Sequence, residues 1–286
     1  MNQKSVKHEG RQPTDTITKE HLAEFIATTQ DDFALELYAY SLARRLGYEA
    51  THAGSYIDPQ SGKARQFDVQ ARVACGEHFH VYFAIECKFL RPSFPLLVSQ
   101  IPRISAESYQ HIVMSNGKWR SLMLMTPHAH PLTHGASLYP QQHYVGKALS
   151  QVGFNGEGKL HSKDAEVFEK WGQAIASSSQ LLNKAAFVHL SIHDPSEKAA
   201  VLPVLVVPEG TLWAVNYDEN GNLVTEPFQT DEVQYFIGST QRINVTPPID
   251  FLISYLHIVT KTGLQDLLVR FQKHGQDTVH LLGMLS

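Results

Sequence analysis

The sequence predicts an α/β protein in which helices flank a sheet. Apolar and polar residues alternate through residues 65–88, and this period of two predicts two short strands joined by a tight turn. Apolar residues recur at helical spacing within residues 31–46 before these strands and within residues 164–182 after them. The length of 286 residues fits one large domain, or one domain with a sizeable annex.

The chain before the alternating segment predicts a tail, two helices and a strand. Residues 1–15 are polar and are expected to form a disordered N-terminal tail. A short helix is predicted over residues 18–29 and a longer one over residues 31–46. Residues 48–57 predict the first strand, and residues 58–62 have the composition of a turn.

The register of the two alternating strands follows from the length of their turn. If the loop is three residues long, Cys75 pairs with Phe79 and Asp68 faces Glu86. This register also places the two apolar rows on one face, whereas a two-residue loop would place them on opposite faces. Directly opposed residues have their Cβ atoms roughly 5 Å apart, where like charges repel. A divalent cation would hold the two carboxylates together, and hard oxygen ligands favour Mg²⁺ or Mn²⁺.

The acidic pair and a nearby lysine resemble the signature of the PD-(D/E)xK nuclease superfamily. That signature is an acidic residue on one strand and E-x-K on the next, often after a helical glutamate. Asp68 matches the first acid, Glu86 and Lys88 match E-x-K, and Glu36 on the longer helix matches the helical glutamate. The Pro-Asp pair in the superfamily's name is absent, because Phe67 precedes Asp68.

The resemblance implies a restriction-endonuclease-like core over residues 16–150, built as helix, three-stranded meander, helix and further strand. Residues 105–114 would be the helix after the meander, and residues 119–125 the further strand. Residues 151–286 would form a C-terminal α+β extension on the same sheet. DNA would be the substrate, and a homodimer is expected, because cutting two DNA strands needs two active sites.

The pattern and the resemblance together assign the chemistry of phosphodiester hydrolysis. Asp68, Glu86 and the backbone carbonyl of Cys87 would bind Mg²⁺, with Mn²⁺ as the alternative ion. The metal would polarise the scissile phosphate and lower the pKa of a bound water. Lys88 would orient or deprotonate that water and neutralise charge on the phosphate. Glu36 would complete a second metal position or anchor metal-bound water.

The charge distribution favours nucleic-acid contact near these residues. Residues 40–120 contain ten Lys and Arg against six Asp and Glu, whereas residues 201–250 contain one against seven. A locally basic region suits phosphate binding, although the formal charge of the whole chain is −4. The side chains expected to contact nucleic acid are Arg65, Arg91, Arg44, Arg45 and Gln110.

The second half of the chain predicts further strands and two terminal helices. Strands are expected over residues 201–207, 211–217 and 233–238. Helices are expected over residues 249–259 and 264–272. Asn-Gly between the second and third of these strands marks a turn, and no Pro, Gly or Ser-rich linker enforces an independent domain.

Three classes of function stay open. The first is the DNA endonuclease, and the second is a catalytically silent nuclease-fold protein that binds nucleic acid or a partner protein. The third is an unrelated α/β protein that binds zinc through His128, His130, His134 and His143. That segment lacks a cysteine partner, which favours a polar loop. The absence of a secretory signal and of an apolar run of roughly 20 residues predicts a cytoplasmic protein without a membrane span.

Overall fold

The computed structural model of the chain describes residues 16–28, 32–58, 62–75, 79–115, 125–131, 138–162, 165–191, 198–243 and 249–273. The chain divides into two compact units, Met1–Asp31 and Asp32–Ser286. The first unit contains helix α1 (Lys19–Thr28), at the position that the sequence predicts. All other described elements belong to the second unit.

The described part of the second unit contains three α-helices and fifteen strands. The helices are α2 (Asp32–Arg45), α3 (Ala165–Ser191) and α4 (Lys261–Lys273). The strands are β1 (Glu49–His52), β2 (Ser55–Ile57), β3 (Ala64–Gln66), β4 (Val69–Ala74), β5 (Phe79–Cys87), β6 (Leu96–Pro102), β7 (Tyr109–Ser115), β8 (Met125–Pro131), β9 (Tyr144–Phe154), β10 (Leu160–Ser162), β11 (Lys198–Val206), β12 (Leu212–Asn216), β13 (Phe228–Gln229), β14 (Glu232–Ile243) and β15 (Ile249–Val259). The predicted α/β class is confirmed.

Thirteen of these strands form one mixed sheet. Its main path runs β1-β4-β5-β11-β15-β14-β9-β6-β12-β13, and β7, β8 and β10 pair beside this path. Strands β1, β4 and β5 form a three-stranded antiparallel meander after α2, as the sequence predicts, but the first predicted strand, residues 48–57, divides into β1 and β2. The β2–β3 hairpin is inserted between β1 and β4. Strand β11 follows α3 and pairs in parallel with β5, so strands from distant parts of the chain lie side by side.

Helices bury both faces of the sheet at β5. Phe83 and Ile85, at odd positions, pack in one core with α2 and α4. Tyr82 and Ala84, at even positions, pack in another core with Leu181 of α3. The even face, which the sequence marks as the polar one, is therefore covered by a helix. A strand that is buried on both sides is typical of the interior of an α/β sheet.

Two of the predicted helices are wrong. Residues 105–114 form a 3₁₀ turn at Ser105–Glu107 and then strand β7, which pairs with β8 and β11. Residues 249–259 form β15, which lies between β11 and β14. The remaining predicted helices and strands of the second half correspond to α3, α4, β11, β12 and β14.

Other predictions fall partly or wholly outside the described residues. These are the tail over residues 1–15, the tight turn at residues 76–78, His134, and residues 119–124 of a predicted strand. The predicted boundary at residue 150 falls within β9, and strands from both sides of it alternate in the sheet order. Among the described helices, none has the combination of length and hydropathy that crossing a bilayer requires.

Candidate active site

Asp68 and Glu86 meet where β4 begins and β5 ends. The β4–β5 ladder has the predicted register, in which Cys75 pairs with Phe79. Continued one residue beyond the ladder, this register places Asp68 opposite Glu86. The side chain of Asp68 is 10 % exposed and that of Glu86 is 0 % exposed. Two acidic side chains are thus held together in a buried position.

Lys170, from α3, is the cation that contacts this acid pair. Its Nζ donates to Asp68 Oδ2 at 2.9 Å and to Asp68 Oδ1 at 3.2 Å, and it lies 3.7 Å from Glu86 Oε2. Burial of Lys170 opposes its charge, but the charge of Asp68 and the hydrogen bond to it raise the pKa of Lys170. Lys170 therefore carries its charge at neutral pH and joins α3 to β4 and β5.

By distance and angle, neither carboxyl oxygen of Glu86 makes a hydrogen bond within the described residues, although the side chain and the backbone of Asp68 are close enough to affect its pKa. Both oxygens of Glu86 are buried. Burial and the neighbouring charge of Asp68 raise the pKa of Glu86 to about 9, although Lys170 opposes the shift. Glu86 consequently holds a proton at neutral pH when no other cation is close. A bound divalent ion would reverse that preference and favour the ionised form.

Glu36, on α2, adds a third acidic side chain close to the pair. Its Oε2 lies 3.0 Å from Nε2 of His52 on β1, and the His52 ring contacts the rings of Phe33 and Tyr40. Burial and the negative charge of Asp68 raise the pKa of Glu36, so Glu36 lies within electrostatic reach of the acid pair. The sequence predicts Glu36 but gives no signal for His52.

Residues 87 and 88 contribute main-chain contacts beside the acid pair. The Cys87 amide donates to Asp68 Oδ2 at 2.7 Å, and the Lys88 amide donates to the Val206 carbonyl at 2.9 Å. Lys88 is half-buried, just beyond the end of β5. The predicted catalytic role of the Lys88 side chain and the predicted metal contact of the Cys87 carbonyl stay predictions.

The arginines predicted to contact nucleic acid lie at separate places. Arg44 and Arg45 are exposed at the end of α2, and Arg91 is exposed after β5. Arg65, on β3, is half-buried, and its Nε donates to Asp58 Oδ2 at 2.8 Å. Their roles in substrate binding stay predictions.

Gln110 differs from its prediction. It lies on strand β7 rather than on a helix, and only 1 % of the residue is exposed. Its side-chain amide donates to the backbone carbonyl of His111 at 3.0 Å. The prediction that Gln110 lies on a helix is therefore wrong, and its predicted contact with nucleic acid stays a prediction.

Asp68 and Glu86 are the carboxylates that could hold a hard divalent cation, at a position where Lys170 Nζ contacts both of them. In the described ranges, no set of three or more His, Cys, Asp or Glu side chains is arranged to hold a metal. Mg²⁺ usually keeps several waters and takes only one or two protein carboxylates. Asp68 and Glu86 supply two, and the oxygens of Glu86 lack other partners in the described structure.

Comparisons of the chain with protein-family models, with curated proteins and with solved structures give no match. The candidate site therefore stands on the contacts of its own residues.

Proposed function

We propose that the chain is a metal-dependent endonuclease that hydrolyses phosphodiester bonds in DNA. One observation carries the proposal: the fully buried Glu86 has two carboxylate oxygens without hydrogen-bond partners in the described structure, beside Asp68 and Lys170. Burying an ionisable group without partners costs free energy, and such groups cluster at functional sites. An ion bound by Asp68 and Glu86 would remove that cost.

Each side chain of the cluster has a role in this proposal. Asp68 and Glu86 would hold Mg²⁺ or Mn²⁺, and the ion would supply Lewis-acid activation of the phosphate and of water. Lys170 would offer positive charge to a phosphate oxygen as negative charge develops there. Glu36, whose pKa is raised, is suited to accept a proton, and His52 would keep its carboxylate oriented.

The order of the elements supports a restriction-endonuclease-like core. Helix α2, the meander β1-β4-β5, helix α3 and the parallel strand β11 follow each other in the order that the resemblance implies. Residues 88–164 are then an insertion between the third strand and the second helix of that core. The second helix and the further strand thus occur later in the chain than the sequence predicts.

The test is the nicking of plasmid DNA and the cleavage of single-stranded DNA in Mg²⁺. Glu86→Gln is expected to abolish cleavage, because the amide is a poorer ligand for a hard cation. Lys170→Met is expected to lower the rate by about 100-fold, as the loss of one electrostatic contact to the transition state typically does. Lys159→Met is the matched control, because Lys159 pairs with Glu157 on the surface.

The variant Lys88→Met tests whether Lys88 or Lys170 supplies positive charge to the phosphate. Loss of cleavage in Lys170→Met alone assigns the cationic role to Lys170, whereas loss in Lys88→Met alone assigns it to the lysine of the E-x-K pattern. A second measurement tests metal binding independently of cleavage. Mg²⁺ should raise the melting temperature of wild type but not that of Glu86→Gln. The proposal would be contradicted if wild type showed neither cleavage nor this stabilisation in Mg²⁺ or Mn²⁺. Metal-linked DNA binding without cleavage would instead indicate the catalytically silent class.

A further inference from the structure

A basic groove lies beside the edge of the sheet, farther along β4 from the acid pair. It has a volume of about 300 Å³. Three cations line it from three different elements: Arg44 at the end of α2, Arg72 on β4, and Lys184 on α3. Glu49, at the start of the edge strand β1, is the single acidic residue among the described residues that line it. The groove therefore has a net positive lining.

The groove and the acid pair follow one line on the same face of β4. Asp68, Gln70 and Arg72 are spaced two residues apart, so their side chains leave the strand on one side. Four residues of strand span about 13 Å, which is roughly four base steps of 3.4 Å along a nucleic-acid strand. Gln70, between them, is buried beneath α3, so a nucleic acid with one phosphate at the acid pair would pass around the outside of α3 and place in the groove a phosphate a few nucleotides farther along the strand.

Gln70 lies on β4 between the acid pair and the groove, and its side chain bonds to α3. Its side-chain amide donates to Ser177 Oγ at 3.2 Å and to Gln180 Oε1 at 2.9 Å. These bonds hold α3 at a set height over β4. Lys170 of α3 then faces the acid pair, and Lys184, fourteen residues later on the same helix, lines the groove.

Arg72 is held in place before any ligand arrives. Its guanidinium lies 5.7 Å from the centroid of the Tyr82 ring, and one nitrogen lies 3.2 Å from Nε2 of His80. The other terminal nitrogen lies 3.4 Å from an oxygen of Glu49, whose side chain is mostly exposed. A guanidinium has five N–H donors in a fixed fork that matches phosphate, so a restrained arginine loses little freedom on binding one.

We propose that this groove binds a backbone phosphate of nucleic acid on one side of the scissile bond. This inference rests on the proposed function, because it assigns the groove to the same substrate. Arg72 and Lys184 would contact the phosphate, and Arg44 would add charge from the opposite side of the edge strand. These contacts position the strand without reading its sequence.

The experiment measures binding without cleavage, in EDTA, with a short fluorescent DNA duplex at several salt concentrations. Arg44→Gln, Lys184→Gln and Arg72→Gln are each compared with wild type, and Lys159→Gln is the exposed control outside the groove. Each lost phosphate contact should lower the slope of log affinity against log salt by about 0.9. Melting temperatures identify any variant that fails to fold, and Arg44 and Lys184 are exposed positions that tolerate the change.

The outcomes separate the groove from the reaction. Weaker binding and a smaller salt slope in the groove variants, but not in Lys159→Gln, support the inference even if wild type cleaves nothing. Unchanged binding in all three variants overturns it, even if wild type cleaves DNA. Displacement of the duplex by a poly-glutamate peptide as effectively as by unlabelled DNA also overturns it, because the groove would then select acidic peptides as readily as phosphates.

Discussion

At the scale of single residues, the contact between Lys170 and Asp68 is a mostly buried ion pair in the candidate site. Both side chains are mostly buried, and Nζ lies within hydrogen-bond distance of both carboxylate oxygens. Taking two charges out of water costs free energy, so the pair adds little net stability while it is intact. Removing one partner is different, because the other charge then stays buried without compensation.

Lys170→Met is therefore expected to lower the free energy of unfolding by about 3 kcal/mol. The same substitution in an Asp68→Asn background should cost much less, because no buried carboxylate is left unpaired. Urea unfolding of the two single variants and the double variant measures this coupling. The exposed pair of Lys159 and Glu157 is the control, with an expected coupling of about 0–1 kcal/mol. Additive effects at Lys170 and Asp68 would contradict the predicted coupling.

Lys170 also shows which signal in the sequence could have located it. Val167, Trp171, Ala174 and Leu181 lie on the apolar stripe of α3, and Lys170 falls on that stripe by its spacing. A lysine among buried positions of a helix is an exception that indicates a buried acidic partner. The identity of the partner could not be predicted, because Asp68 is 102 residues away in the chain.

At the scale of elements, the strands with alternating residues were predictable and the interior strands were not. The register of β4 and β5 followed from one loop length and the polar–apolar alternation. Strand β15 contributes Phe251 and Ile253 to one core cluster, Tyr255 to a second, and Leu256 and Ile258 to a third, all of them buried. A short apolar run without alternation fits a buried helix as well as an interior strand, so periodicity alone cannot separate them.

A buried hydrogen-bond chain joins β15 to β14 and α4. The Tyr139 hydroxyl lies 2.9 Å from His257 Nε2, and His257 Nδ1 lies 3.1 Å from Glu232 Oε1. Arg270 donates to Glu232 Oε2 at 3.0 Å. Burial opposes the charge of Glu232, but the contacts from His257 and Arg270 lower its pKa to about 2. Because this carboxylate only accepts, Nδ1 of His257 donates to it.

The hydrogen-bond chain around Glu232 predicts that acid lowers the free energy of unfolding. The unfolded protein takes up a proton at Glu232 near pH 4.5, whereas the folded protein resists protonation until about pH 2. The contribution of Glu232 to the free energy of unfolding is therefore complete above pH 4.5. It is lost as the pH falls from 4.5 to about 2, and it is on the order of 3 kcal/mol in total. Glu232→Gln should lower stability at neutral pH and flatten the acid slope. Urea unfolding of wild type and Glu232→Gln across that pH range checks this prediction. An unchanged slope of unfolding free energy against pH in Glu232→Gln would contradict it. Glu157→Gln is the exposed control.

At the scale of the whole molecule, the strand order joins the two halves of the chain into one sheet. Strand β5 of the first half pairs with β11 of the second, and β6 of the first half pairs with β12 of the second. Pairings between distant segments leave no local pattern in a sequence, so hydrophobic periodicity could not reveal them. The loop-closure entropy of such pairings is offset only when both halves are present.

A fragment of residues 16–150, the boundary predicted for an independent core, is therefore expected not to fold alone. It lacks β11, so β5 would present an unpaired edge, and it lacks α3, so one buried face of the meander would be open to water. Urea unfolding followed by circular dichroism should show no cooperative transition for the fragment and a cooperative one for the full chain. A sigmoidal transition in the fragment, with dispersed amide resonances, would show instead that the meander and α2 suffice as a core and that the second half is an accessory to it.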